Sequence, residues 1–143
     1  MTSLEKWVLL NPMRYALMVL IATGGAMHLI GLIQTLLQHR TLPPVGWFFY
    51  LFAIFVYPAS AVMIFKNLWW GYWIAAVAPC VGGLFIFLGF FWPHTGFLTL
   101  LAGTVEREIT WVGFVQVTSE SMGVAYAAFL IYHKIWKLQI PAP

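Results

Sequence analysis

Long runs without a charge set the pattern of this chain. Arg14 and Arg40 are separated by 25 residues, Arg40 and Lys66 by another 25, and Lys66 and Glu106 by 39. A further 25 lie between Glu108 and Lys134, and Glu120 is the one acid among them. A helix that crosses a bilayer needs about 20 apolar residues, so each run is long enough for one. The 39-residue run is broken at Pro93-His94-Thr95-Gly96, so it holds one helix and a loop. Four helices are predicted, at about residues 13–38, 46–65, 69–92 and 110–137.

The punctuation between the runs supports this division. Asn11-Pro12 reads as the start of the first helix, because Asn caps free amides and proline tolerates the first helical position. Residues 1–11 then form a short lead along the membrane surface. His39 to Pro44 reads as a loop, since Pro43 and Pro44 cannot continue a helix. Lys66-Asn67 reads as a tight turn. Residues 93–108 form the longest connection, and its apolar middle, Phe97 to Leu101, predicts a short interfacial helix or turn between helices 3 and 4. Glu106-Arg107-Glu108 marks its water edge, and Pro141 and Pro143 close the chain. Trp47, Phe48, Phe49 and Tyr50 open helix 2, and Trp69, Trp70, Tyr72 and Trp73 open helix 3. Both groups read as aromatic belts at a membrane surface.

Composition narrows the class further. Of the 143 residues 62% are hydrophobic and 8% charged, against roughly 25% charged in a soluble domain. A disordered chain, a coiled coil, a collagen and an ordinary soluble globule are excluded. The expectation is an all-α membrane protein: one integral membrane domain over residues 1–143, folded as an up-down-up-down bundle of four transmembrane helices. The first apolar run is too long for a cleaved signal peptide and reads as a retained helix.

The formal net charge is +3, yet the basic residues form no stripe, so a nucleic-acid partner is not expected. They read as topology signals instead. Lys6, Arg14, Lys66, Lys134 and Lys137 fall on one side of the bundle, and Arg40 and Arg107 on the other. The positive-inside rule then places both termini in the cytoplasm. Cys80 is the single cysteine, so an intrachain disulfide and a cysteine metal cluster are excluded.

The candidate chemistry lies in the polar residues inside the spans. A charged group at the centre of a membrane helix costs roughly 3 kcal/mol on insertion scales, which makes it a site hypothesis by default. Glu120 is the strongest case, set in Gln116-Val117-Thr118-Ser119-Glu120-Ser121. Gln116 and Glu120 are one helical turn apart and share a face. Gly113, Gly123 and Ala127 lie on or near that face, and small residues let helices approach closely. His28 is the second case, flanked by Gly24 and Gly31. Counted from their helix ends, His28, Glu120, Tyr57 and Cys80 all fall about 14–16 Å below the outer surface. Pro58 and Pro79, next to Tyr57 and Cys80, each free a carbonyl one turn earlier.

Glu120, His28 and Tyr57 are therefore the candidate catalytic residues, and Gln116, Ser119, Cys80 and Ser60 the candidate ligand-binding groups. Each residue also has a plain reading. Glu120 could be a protonated acid tying two helices, His28 a satisfied core histidine, Tyr57 packing, and Cys80 a small apolar residue. In a close Glu–His pair each stabilises the charged form of the other, so the pair can exchange a proton near neutral pH. A catalytic zinc usually takes three protein ligands, and the third would have to be Cys80, so no metal is predicted. The sequence names no cofactor. His39 and His94 at the outer edge and His133 at the inner edge make a poor pair of haem ligands. The double glycines Gly24-Gly25 and Gly82-Gly83 follow no strand and read as packing, not as phosphate loops.

Three functions stay open. The chain binds a small apolar ligand such as a quinone, sterol, pigment or lipid, or serves as a subunit of a membrane complex or homo-oligomer. Alternatively it is an intramembrane enzyme of isomerase or cyclase type with Glu120 and His28 as its acid–base pair. The third reading is proton-coupled transport, with Glu120 as carrier.

Overall fold

The computed structural model describes residues 2–38, 42, 44–91 and 111–138. Among them the chain is helical throughout, with no strand: α1 (Ser3–Leu37), α2 (Pro44–Phe65), α3 (Trp69–Phe91), α4 (Trp111–Tyr132) and a 3-10 turn, Ile135–Lys137. Three of these helices contain stretches long and apolar enough to cross a membrane: Leu4–Leu37, Gly46–Phe65 and Trp111–Tyr132. The expected connection at 93–108 with its interfacial element, most of the loop at 39–44, His39, His94, Pro141 and Pro143 lie outside the described residues.

The first helix begins ten residues earlier than its sequence suggests. Thr2 forms a capping box with Glu5: its Oγ1 accepts from the Glu5 amide at 3.3 Å, and its own amide donates to Glu5 Oε2 at 2.7 Å. That reciprocal cap satisfies two free amides at once and starts the helix at Ser3. Pro12 then sits inside the helix. It removes one ladder bond without ending the helix, because Leu10 before it and Leu17 after it are both buried in the bundle. Residues 3–11 are thus part of α1 and not a separate surface lead. Pro44, expected in the loop, instead occupies the first position of α2, where its fixed φ suits a helix start.

The end of α4 departs in the other direction. The helix stops at Tyr132, not near residue 137. Lys134 takes a left-handed conformation (φ 51°) and its amide closes on Ile131 O at 3.0 Å. Tertiary packing accounts for the break. The turn that follows buries Ile135 and sets the Trp136 ring 5.8 Å from Tyr72.

The turn between α2 and α3 matches its expected position. Asn67 sits at φ 56°, its amide bonding Ile64 O at 2.9 Å, while the Leu68 amide bonds Met63 O at 2.8 Å. This is a Schellman end, which Asn tolerates because a short polar side chain accepts the left-handed region. Across the hairpin, Ser60 Oγ donates to Gly71 O at 2.8 Å.

The four helices close a ring in which α1 packs against α2 and α4, and α3 packs against α2 and α4. The pairs Gly24–Tyr57 and Gly31–Tyr50 run α1 antiparallel to α2, and Gly123–Ile21 and Gly24–Glu120 run it antiparallel to α4. The core is a stripe of residues three, four or seven apart: Leu10, Leu17 and Ile21 on α1, Ala53, Tyr57 and Ile64 on α2, Tyr72, Ala75 and Ala78 on α3, and Ala127 and Leu130 on α4. Large apolar side chains point outward all round, among them Val19, Phe55 and Phe114, each more than 60% exposed. Trp69, Trp70 and Trp73 are exposed as a belt should be, but Tyr72 is fully buried and Tyr50 half-buried against His28.

One glycine tests the hairpin directly. A Cβ on Gly71 would lie 2.7 Å from Met63 Cβ and 2.8 Å from the Ile64 backbone nitrogen. Gly71→Ala is expected to destabilise the bundle by about 1–3 kcal/mol through overpacking. Gly31→Ala, whose Cβ would meet the Tyr50 ring at an ordinary 3.4 Å, is expected to be near neutral. Thermal unfolding in detergent should lower the midpoint by several degrees for the first variant alone.

Candidate functional site

The geometry at the middle of the bundle follows from glycine on α1. Gly24 presents no side chain, so α2 and α4 both close on it. A Cβ there would lie 3.3 Å from Glu120 Cγ and 3.3 Å from the Tyr57 ring. One turn further along α1, His28 enters the gap between those two helices.

Three helices meet at the imidazole. His28 Nδ1 lies 2.9 Å from Gly24 O on its own helix and 3.4 Å from Glu120 Oε1 on α4. His28 Nε2 lies 3.1 Å from the Gln116 amide nitrogen, also on α4. From α2, the Tyr57 ring meets the imidazole edge-on at 5.5 Å and Tyr50 does so at 6.2 Å. Gln116 and Tyr57 also face the Glu120 carboxyl. The His28 and Glu120 side chains retain 14% and 12% of their accessible surface. Glu120 Oε1 is buried and makes no hydrogen bond.

These contacts assign the histidine's protons. A carbonyl only accepts, so Nδ1 carries the hydrogen that Gly24 O receives. The Gln116 amide nitrogen only donates, so Nε2 is the unprotonated acceptor. With the Gln116 amide in this orientation, the contacts fit the neutral Nδ1–H tautomer. A second proton on Nε2 would require Gln116 to turn its amide and present its oxygen. The imidazole is therefore a two-sided group: Gln116 governs its Nε2 edge, and Glu120 faces its Nδ1 edge.

Of the residues that the sequence singles out, four are brought together: His28, Glu120, Tyr57 and Gln116. Three are not. Ser119 Oγ donates to Gln116 O at 2.9 Å, so its hydroxyl is satisfied within its own helix. Ser60 is fully buried, but its hydroxyl serves the α2–α3 hairpin. Cys80 is exposed, with its thiol on Ala76 O at 3.1 Å, because its position on α3 turns it outward. Among the described residues no three of His, Cys, Asp and Glu gather as a metal site would need.

Known protein families, curated proteins and solved structures contain no match to this chain. The chemistry is therefore argued from the residues alone.

A second polar cluster escapes a reading by charge runs. Arg14, expected at the membrane edge, is 6% exposed. The spacing of Leu10, Arg14 and Leu17 is the signal that marks it, since residues three or four apart share the face α1 buries.

The tautomer assignment is open to direct measurement. In protein labelled with ¹⁵N-histidine, the signal lost in His28→Asn should report a protonated Nδ1 and a bare Nε2. Gln116→Leu should shift the Nε2 resonance and leave Nδ1 in place. A protonated Nε2 in the unmodified protein would refute the assignment.

Proposed function

We propose that this chain is a four-span membrane bundle, α1 to α4 running up-down-up-down, that binds the polar head of a small lipophilic molecule at His28 and Glu120. Glu120 Oε1 carries the reading: it is buried, faces His28 Nδ1 at 3.4 Å, and has no hydrogen-bond partner. An unpaired buried polar atom costs about 1–3 kcal/mol, and a ligand carbonyl or hydroxyl removes that cost. A protonated Glu120 donates to a carbonyl; an ionised one accepts from a hydroxyl. The ligand class is accordingly an apolar body with one oxygen-bearing head, as in a quinone, sterol, pigment or lipid. The apolar outer surface suits delivery from the lipid phase. A role as a subunit of a larger membrane assembly is compatible with the same site.

Topology belongs to the same proposal. The sequence of α3 is 23 residues without a charge, about 35 Å of helix, which suits a fourth span. The positive-inside rule applied to Lys6, Arg14, Lys66, Lys134 and Lys137 supports cytoplasmic termini. In a Cys80→Ala background, Gln38→Cys should react with an impermeant maleimide on intact cells. Thr2→Cys should react only after permeabilisation. The opposite pattern would reverse the orientation.

A second reading rests on the facing of two proton-active groups from different helices. Such a pair, with Tyr57 beside it, is suited to acid–base isomerisation or cyclisation of a lipophilic substrate. Native mass spectrometry of the gently extracted protein, with chromatography of the released molecule because an isomer has the mass of its substrate, separates the two. The binding reading expects a stoichiometric lipophilic adduct, kept in Glu120→Gln and lost in Glu120→Leu. The enzyme reading expects Glu120→Gln to hold the molecule but leave it unconverted. A wild-type protein without any bound lipophile beyond that of the detergent micelle would refute both.

A further inference from the structure

Away from the His28 site, the buried cation Arg14 has no counter-charge among the described residues. Arg14 lies 14 residues before His28, about 21 Å along α1. Its Nη2 donates to Tyr15 Oη at 3.3 Å and its guanidinium lies 5.0 Å from the Tyr15 ring centre. The Tyr72 hydroxyl also faces it. Its Nε is buried and makes no hydrogen bond. Among the described residues no carboxylate pairs with it: Glu5 caps α1 and Glu120 faces His28. One turn earlier, the Asn11 side-chain oxygen is also buried without a partner.

The surroundings are built, not loose. Tyr72 donates to Asn67 Oδ1 at 2.9 Å, and Asn67 Nδ2 donates to Trp136 O at 3.3 Å. These bonds tie the α2–α3 turn and the 3-10 turn around Arg14. The exposed lysines Lys66, Lys134 and Lys137 stand on those same turns. Among the described residues, the charged groups at this end, apart from the capping Glu5, are positive.

We propose that Arg14 anchors an oxyanion site at this end of the bundle and holds the phosphate of an anionic lipid headgroup. Nε–H and an adjacent Nη–H form the planar fork that grips two phosphate oxygens, the geometry for which Arg is preferred over Lys. Tyr15, exposed on its outer side, is the ring that turns aside to admit the anion. The lysines raise the local concentration of anionic lipid. Leu4, Val8 and Leu9, in the α1 segment before Arg14, are exposed apolar side chains that suit contact with acyl chains.

Native mass spectrometry of the full chain in mild detergent tests this with three probes: phosphatidylglycerol, phosphatidylcholine and inorganic phosphate. Wild type should retain one phosphatidylglycerol with about tenfold preference over phosphatidylcholine. Arg14→Gln should lose that preference. Arg14→Lys, which keeps the charge and loses the fork, should fall between and covers the case in which Arg14→Gln does not fold. If phosphate alone raises the wild-type unfolding midpoint, without lipid preference, the site holds and its occupant is free phosphate. A wild type that ignores all three probes overturns the proposal. So does a folded Arg14→Gln that keeps the lipid preference.

Discussion

The close approach of α2 and α4 to α1 at Gly24 is the constraint on which the interior depends. With no side chain there, the Tyr57 ring and the Glu120 stem sit where a Cβ would press on both. That contact sets the register of two helix pairs at once. It also decides what His28, one turn further on, can touch. A polar group inside a membrane bundle has no water to fall back on, so its partners must come from neighbouring helices or its own backbone. Gly24 supplies both, as the gap through which Glu120 arrives and as the carbonyl that receives Nδ1–H.

The same requirement explains how the remaining polar residues end. Ser119, Thr35 and Cys80 each return a hydrogen to a carbonyl of their own helix, at 2.9, 2.8 and 3.1 Å. Such back-bonding closes the account locally and asks nothing of a neighbour. Ser60 bonds across the α2–α3 hairpin and Asn67 reaches Trp136 O on the 3-10 turn, and so they hold elements together.

How far the sequence reveals this depends on the kind of signal. Charge-free runs locate the four helices and the Lys66-Asn67 turn, because length and polarity are local properties. Depth counting brings His28, Glu120 and Tyr57 to one level, and the structure brings those three into contact. Depth says nothing of azimuth, however, and Cys80 shares the level while pointing outward. Pro12 misleads because one lost ladder bond is outweighed by a capping box at Thr2 and burial of Leu10. The far end of α4 misleads because Ile135 and Trp136 gain more by folding back on Tyr72 than by extending the helix. Arg14 is hidden for a related reason: a charge near a helix end reads as interfacial until the buried face is traced through Leu10 and Leu17.

Satisfaction, more than residue type, then separates structural from chemical groups in this bundle. By position in the sequence, Ser60, Ser119, Cys80 and Glu120 all fall inside helices as candidate polar groups. By partner they differ, for the first three are complete within the fold and Glu120 Oε1 is left open. Arg14 Nε is left open too, at the lysine-rich end of the bundle. The two open groups have different needs. A carboxyl beside a neutral imidazole calls for one hydrogen-bonding atom on an apolar body. A buried guanidinium with no carboxylate partner among the described residues calls for an anion. Two sites of unlike chemistry on one face of α1 follow from that difference, each set by what the helices around it do not provide.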